Sequence, residues 1–379
     1  QLRRVILTCP TAMPVSEQII LRQSAIEAYN ILQGMDVSLQ PIEVFPSLQS
    51  LKITDKKNCD NPNDLEWPYD EATACQFVYL YAEIKQRYGG KIDEFINLKG
   101  HKRPEQVASG YNKSSLTIGS VDIGAGTTDI MICSYKYQGT GQAQVIPEPL
   151  FWDSFYIAGD DILHKIVLSR VIEGSKSGIP TNGSVYNALL SKMLRMSDNE
   201  LENMPSAKRP VYDLKMANIL SSMTNEEREI RIASYASNLI HDYFGEDSAN
   251  MSHEDRRCRV DFNTQISLPI AQFLLEKLHL KKAQGIYSYS DIFVEDSPAD
   301  YLFDHFEKHF GFSFKELNWE FNPEEIALLV KSTMEPLLKR LSVILHAYQC
   351  DVLILGGRPT SLDAINELFV KYFSLSPDR

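Results

Sequence analysis

The sequence predicts an α/β fold, and three observations carry that prediction. Apolar, strand-like runs end in glycine-rich turns at "SVDIGAGTTDIMI" (Ser120–Ile132) and "CDVLILGGRPTSL" (Cys350–Leu362), and a further glycine turn, "FYIAGDDIL" (Phe155–Leu163), opens a helical stretch. Amphipathic segments with a period near 3.6 fill the intervals. Strand ends that carry similar turns but lie far apart in the chain suggest one site assembled from several of them.

The elements follow in order. "RRVILTCPTAMP" reads as a buried strand, Val5 to Thr8, closed by two prolines. In "SEQIILRQSAIEAYNILQG", Ser16 suits an N-cap, Ile19, Ile26 and Tyr29 share a helical face, and Gly34 suits a stop. Residues 40–66 are rich in turn formers, and "DEATACQFVYLYAEIKQRYGG" from Asp70 is a second helix. From Leu116 the period changes to 2, so "SLTIGSVDIG" and "TTDIMICSYKYQ" form a hairpin across the glycine turn. A polar, helical region covers 175–260, with Asn/Ser/Gly turns near 181–184. "RRCRVDFNTQISLPIAQFLL" (256–275) is expected to begin as a strand, and "FNPEEIALLVKSTMEPLLKRLSVILHAYQ" (321–349) is a long amphipathic helix. The chain opens on Gln1 and enters a strand almost at once, which reads as a piece of a longer protein.

Composition narrows the function classes. The chain has 379 residues, 44% of them hydrophobic, enough for a large core in two or three packing units. Its formal net charge is −12, and no basic cluster offers a sequence-independent nucleic-acid face. Six cysteines are scattered without a C-x-x-C pair, several inside apolar runs, a usage that fits a reducing, cytoplasmic compartment. No apolar stretch has the length of a membrane span.

The turns themselves carry the chemistry. Around Asp122, Gly124, Ala125, Gly126, Thr127, Thr128 and Asp129, glycines allow successive backbone N–H groups to face one concavity that suits phosphate oxygens. Threonine hydroxyls add donors, and a carboxylate at a strand end can hold Mg²⁺ directly or through its waters. D-x-G-x-G-T-T-D is too specific for an ordinary polar hairpin turn. "AGDD" (Ala158–Asp161) reads equally well as an anion-binding helix start or a plain N-cap, and "LGGRP" (Leu355–Pro359) as a surface for a flat base or a tight strand-to-helix turn. Glu71, opening its helix, reads on its own as a structural charge favoured by the macrodipole. His305 and His309 are spaced i, i+4, but with aromatics between them they read as core or surface histidines. "SHEDRRCR" (252–259) reads as a solvated charge run.

In this order the pieces resemble the actin/Hsp70-type ATPase superfamily. "RRVILTCPTAMPVSEQIILRQSAIEA" resembles its strand–Pro–helix segment, "DEATA" its connecting motif with Ala72 in place of proline, "DIGAGTTD" its second phosphate loop, "AGDDI" the segment after that loop, and "LILGGRPTSL" its adenosine motif. Within that superfamily, "SVDIGAGTTDIMICSY", "FYIAGDDIL" and the "DEATACQFVYLYAE" helix are most similar to the SrfB-type virulence-factor family.

The resemblance implies an actin/Hsp70-like, ribonuclease-H-type two-lobe fold that lacks the N-terminal part of the first lobe. Residues 1–115 would be the remnant of lobe I, 116–180 with 325–379 the nucleotide-binding core of lobe II, and 181–324 a mostly helical insertion. ATP and Mg²⁺ would be the cofactors, and two lobes would close around them. Asp122, with Asp129, would face the metal. The backbones of Gly124, Ala125, Gly126 and Thr127 with the Thr128 hydroxyl would cradle phosphates, and Glu71 would sit near the attacking water. Gly159 and Asp160 would lie near phosphates and ribose, and Gly356, Gly357 and Arg358 would flank the adenosine. The family's first phosphate loop has no counterpart before Arg4, so hydrolysis by this chain would be weak or absent.

The expected function is therefore an ATP- and Mg²⁺-binding, ATPase-type domain acting on a protein partner. The competing reading is a catalytically inactive scaffold of the same fold, and a small-molecule kinase is a third. A dinucleotide oxidoreductase fits worse, because "GAGTTD" lacks the third glycine of G-x-G-x-x-G and leads into a strand.

Overall fold

A computed structural model describes residues 3–9, 13–35, 42–45, 71–139, 144–174, 183–197, 200–201, 223–246, 251–294 and 297–373. In chain order the elements are β1 (Arg4–Ile6), α1 (Val15–Met35), β2 (Glu43–Phe45), α2 (Glu71–Ala82), α3 (Ile92–Lys99), α4 (Pro104–Ala108), β3 (Leu116–Ile123), β4 (Thr128–Gln138) and β5 (Gln144–Phe155). There follow α5 (Gly159–Ile166), α6 (Val185–Arg195), α7 (Asn225–Phe244), α8 (His253–Phe262), α9 (Leu268–His279), β6 (Gly285–Ser288), α10 (Tyr289–Ile292), α11 (Asp300–Phe310), β7 (Asn318–Phe321), α12 (Pro323–Ala347), β8 (Val352–Gly356) and α13 (Asp363–Tyr372). The class is α/β, with helices and small mixed sheets. Most of the turn-rich stretch 40–66, Asp70 and residues 181–182 lie outside the described residues. No helix among the described residues is long and apolar enough to cross a membrane.

The chain divides into two compact units, one of Gln1–Gly159, Glu335–Ser361 and Ile365–Arg379, the other of Asp160–Met334 and Leu362–Ala364. In the first unit a four-stranded sheet runs β5-β4-β3-β8, antiparallel across β5, β4 and β3 and parallel between β3 and β8. The predicted hairpin is present, with Leu116 opposite Tyr135 and Ile123 opposite Thr128.

β3 is buried on both sides because both sides are covered. One face carries Leu116, Ile118, Met131, Cys133, Tyr135 and Val352 against Leu80 of α2 and Phe95 and Ile96 of α3. On the other face, a Cβ on Gly119 would collide with the Leu345 side chain of α12, so glycine there admits the helix. Within the first face, Gln76 is a buried polar tie. Its amide nitrogen donates to the Ser120 hydroxyl (2.8 Å) and the Met131 carbonyl (3.1 Å), and its oxygen accepts from the Tyr135 hydroxyl (2.7 Å).

At the opposite end from the glycine turns, Asp351 pins the starts of β3 and β8. Its carboxylate accepts from Arg103 Nη2 (2.7 Å), from the Thr117 N–H (2.8 Å) and pairs with His101 Nδ1 (2.8 Å).

The second unit is helical with a two-stranded antiparallel sheet, β6 on β7. Its core is aromatic: Phe262 stacks on Phe306 (5.6 Å between centroids), and Phe314 meets Trp319 at 5.4 Å. His305 belongs to this core, with Nδ1 3.2 Å from the Tyr243 hydroxyl and Nε2 3.2 Å from Asp255. The histidines of α11 are thus packing residues, and His309 lies against the Tyr243 ring at 4.9 Å.

Several elements differ from the sequence expectation. The first strand is Arg4–Ile6, and α1 begins at Val15, so Ser16 sits inside the helix while the Pro14 carbonyl accepts from Glu17 and Gln18. The expected strand near 258 is absent. Residues 253–279 run as one helical stretch with a π-type turn at Asn263–Ser267, and the charge run 252–259 is the start of α8, capped by Ser252, with Cys258 buried. Strand β5 has no sequence signal of its own, because Pro147 and Pro149 break the pattern. The structure resolves this by placing β5 at the sheet edge, where a missing N–H is tolerated.

Candidate phosphate and metal site at the carboxyl ends of the strands

In open α/β sheets, ligands bind outside the carboxyl ends of parallel strands, where the strand order changes direction. Here that place is the end of β3 and β8, with antiparallel β4 leaving from the same corner. Ser154, Asp129, Asp122 and Gly356 form one row across β5, β4, β3 and β8. Residues directly opposite in a sheet point to the same face, so the two carboxylates share a face.

Their electrostatics are unusual. Burial, and then the neighbouring Asp129 carboxylate, push the Asp122 acid above its ordinary value. Asp129 is 7% exposed, and its Oδ1 atom is buried with no hydrogen-bond partner among the described residues. A buried, unpartnered carboxylate oxygen costs free energy unless a proton, water or cation answers it.

Close approach of neighbouring atoms explains Gly159, Gly356 and Gly357. Asp122 stands against Gly356, where a Cβ would lie 3.1 Å from the Asp122 carboxyl carbon. Gly357 has φ +85°, and a side chain there would run into the Ile123 carbonyl. The Gly159 N–H donates to the Gly124 carbonyl at 3.0 Å, and a Cβ on Gly159 would meet that same oxygen at 3.0 Å and the Pro359 ring at 3.3 Å. The turns after β3, before α5 and after β8 are therefore in contact.

Gly124 and Gly126 do not use the left-handed region open to glycine; of the site glycines, Gly357 alone has a positive φ. The Gly124 N–H closes the turn onto the Thr127 carbonyl (2.8 Å). The N–H groups of Ala125, Gly126 and Thr127 have no partner among the described residues, and Ala125 and Gly126 are exposed. The Thr128 hydroxyl is buried and donates to the Ile157 carbonyl (2.7 Å), tying the loop before α5 to the hairpin.

Glu71 reaches the same end of the sheet through its helix. Gln76 sits over Ser120, while Tyr79 and Tyr88 farther along meet Phe95 of α3 at 6.5 and 5.2 Å. Asn97 of that same α3 donates to the Tyr137 hydroxyl (3.2 Å), at the far end of β4. Helix α2 thus runs away from the glycine turns, and Glu71, exposed and with its N–H on the Cys9 carbonyl (3.0 Å), lies toward the Asp122 end. Asp160 is exposed in the first turn of α5 beside Asp161, where both carboxylates answer the helix dipole. Arg358 opens a short 3₁₀ turn, Arg358–Ser361, and is exposed.

Among the described residues no group of three or more His, Cys, Asp or Glu side chains could hold a metal. Two carboxylates are nevertheless compatible with Mg²⁺, which keeps several of its waters. Sequence reasoning missed the Asp129 orphan oxygen and the contact of Pro359 with the α5 start. Neither leaves a mark in composition or spacing.

Fold and site together define an α/β protein whose parallel strand ends converge on a paired-carboxylate, glycine-lined cradle. The chain belongs to the SrfB virulence factor family: the family model described as "Virulence factor SrfB" matches residues 1–227 and 211–379. No curated protein matches the chain.

Proposed function

We propose that the carboxyl ends of β3 and β8 bind the phosphates of ATP together with Mg²⁺. In this reading the chain is an actin-like, ATPase-type domain of a cytoplasmic virulence-associated protein, with nucleotide occupancy switching its contacts to a protein partner. The observation that carries the reading is the buried, unpartnered Oδ1 of Asp129 beside Asp122, at the corner where three turns meet. Asp122 and Asp129 would hold a hydrated cation, and its charge would answer that orphan oxygen. The free amides of Ala125, Gly126 and Thr127 supply donors for phosphate oxygens, and Gly159, Gly356 and Gly357 frame the remainder. In this reading Glu71, at the start of α2, orients an attacking water.

The test is calorimetric titration of ATP into the chain with Mg²⁺ and with EDTA, repeated for Asp122→Ala. Magnesium-dependent binding that Asp122→Ala loses supports the reading; equal binding by both proteins, or by neither, sinks it. A second reading, a scaffold that keeps the cradle without turnover, is favoured by the Thr128 hydroxyl, which is committed to the Ile157 carbonyl. Phosphate release that Asp122→Ala abolishes excludes the scaffold.

A further inference from the structure

We infer that Arg358 is a phosphate-reading residue, its guanidinium engaging the anionic end of a ligand held at the carboxyl ends of β3 and β8, whatever the rest of that ligand is. This rests on the phosphate reading above, and it moves Arg358 from the nucleoside side of the site to the phosphate side.

Position comes first. Arg358 precedes Pro359, whose ring lies 3.3 Å from where a Cβ of Gly159 would stand, and Gly159 is bonded to Gly124 of the phosphate turn at 3.0 Å. Arg358 is therefore one residue from the point where the three turns touch. Its backbone is fixed there. Gly357 takes φ +85° to turn the chain, the Thr360 hydroxyl donates to the Gly357 carbonyl (2.7 Å), and the Ser361 hydroxyl donates to the Arg358 carbonyl (2.7 Å).

Charge is the second argument. Arg358 is exposed and has no ion-pair partner among the described residues; the nearby Asp363 is taken by Lys281 at 2.6 Å. Asp122 and Asp129 make this corner negative, on a chain of net charge −12. An anion can settle beside two carboxylates only if cations offset them. A divalent ion covers the carboxylate side, and an unpaired guanidinium covers the open side. Its planar fork of donors matches phosphate oxygens two at a time, which a lysine cannot reproduce.

The experiment titrates the full 379-residue chain, Arg358→Ala and Arg358→Lys with tripolyphosphate, ATP and adenosine, each with Mg²⁺, at low and high salt. The expected result is a loss of about tenfold for Arg358→Ala. The loss is the same for tripolyphosphate and ATP, shrinks at high salt, is partly recovered by Arg358→Lys, and leaves adenosine unaffected. Unchanged tripolyphosphate binding by Arg358→Ala overturns the inference while the phosphate reading stands. Loss of ATP and adenosine with tripolyphosphate intact assigns the residue to the nucleoside and overturns it as well. If the unaltered chain binds neither tripolyphosphate nor ATP, the phosphate reading itself fails and this inference falls with it.

Discussion

Asp122 and Asp129 face each other across the β3–β4 ladder on one side of the sheet, and the buried Oδ1 of Asp129 has no partner among the described residues. Two carboxylates so placed disfavour each other's charge. Folding the chain to this geometry therefore carries a local cost at neutral pH.

That cost has a sign that can be measured. The Asp122 acid is raised in the folded state by burial and by Asp129. Its contribution to stability is fully present below the ordinary carboxylate value and is lost as pH rises through the raised one. Asp122→Asn should then raise the melting temperature at pH 7, and the gain should shrink as the pH falls below the ordinary aspartate range. A melting series from pH 3 to pH 8 checks this; a variant less stable at every pH contradicts it.

Asp351 is a different kind of carboxylate. It is buried, and its partners include Arg103, whose side chain is only 4% exposed. Asp351→Ala leaves that guanidinium buried and unpaired and frees the Thr117 N–H, so a loss of about 3–5 kcal/mol is expected. Urea unfolding of the variant measures it, and a change below about 1 kcal/mol would show that the pair is solvated in solution.

Glycines of the site should separate into two groups. Gly357 is at φ +85° with the Ile123 carbonyl against it, whereas a Cβ on Gly126 would meet nothing within 4 Å. Gly357→Ala is expected to destabilise the fold by at least 1–3 kcal/mol, roughly the cost of a forced backbone conformation. Gly126→Ala should leave the melting temperature nearly unchanged. Thermal unfolding of both variants decides the matter, and equal effects would be inconsistent with the described turn.

Gln76 and Tyr135 should behave as a unit. Gln76→Leu removes the acceptor of the Tyr135 hydroxyl and Tyr135→Phe removes the donor to the Gln76 oxygen, at about 1–3 kcal/mol each. The double variant should lose clearly less than the sum, because neither partner is then left behind. Strict additivity in a double-mutant cycle would rule out the bond.

Much of this was legible in the chain. The hairpin around the glycine turn, the long helix before Cys350 and the strand–glycine–helix order at Gly356 follow from a change of period and from turn chemistry. Other elements were not. The expected strand near 258 is helix because the apolar residues of 253–279, including Cys258, Phe262, Ile266, Ile270 and Leu274, line one buried stripe, and that stripe outweighs the local β-branched residues. Strand β5 was hidden by its prolines, which an edge position tolerates and a central one does not. Ser16 was a plausible cap on residue type, but the helix starts at Val15, with the Pro14 carbonyl two residues before Ser16 accepting its first bonds.

By itself the sequence determined the α/β class, the candidate residues Asp122, Asp129, Gly159, Gly356 and Gly357, and the glycine turns that surround them, because period and glycine placement are local properties. Only the tertiary structure decided that these turns touch. The parallel pairing of β3 with β8 joins residues more than 200 positions apart, and it sets Gly356 against the Asp122 carboxylate. Tertiary packing also turned the Thr128 hydroxyl inward to the Ile157 carbonyl, left the Asp129 oxygen unanswered and set Pro359 beside Gly159. Burial and partnership are properties of neighbours, and neighbours across a sheet are not written in the spacing of a chain.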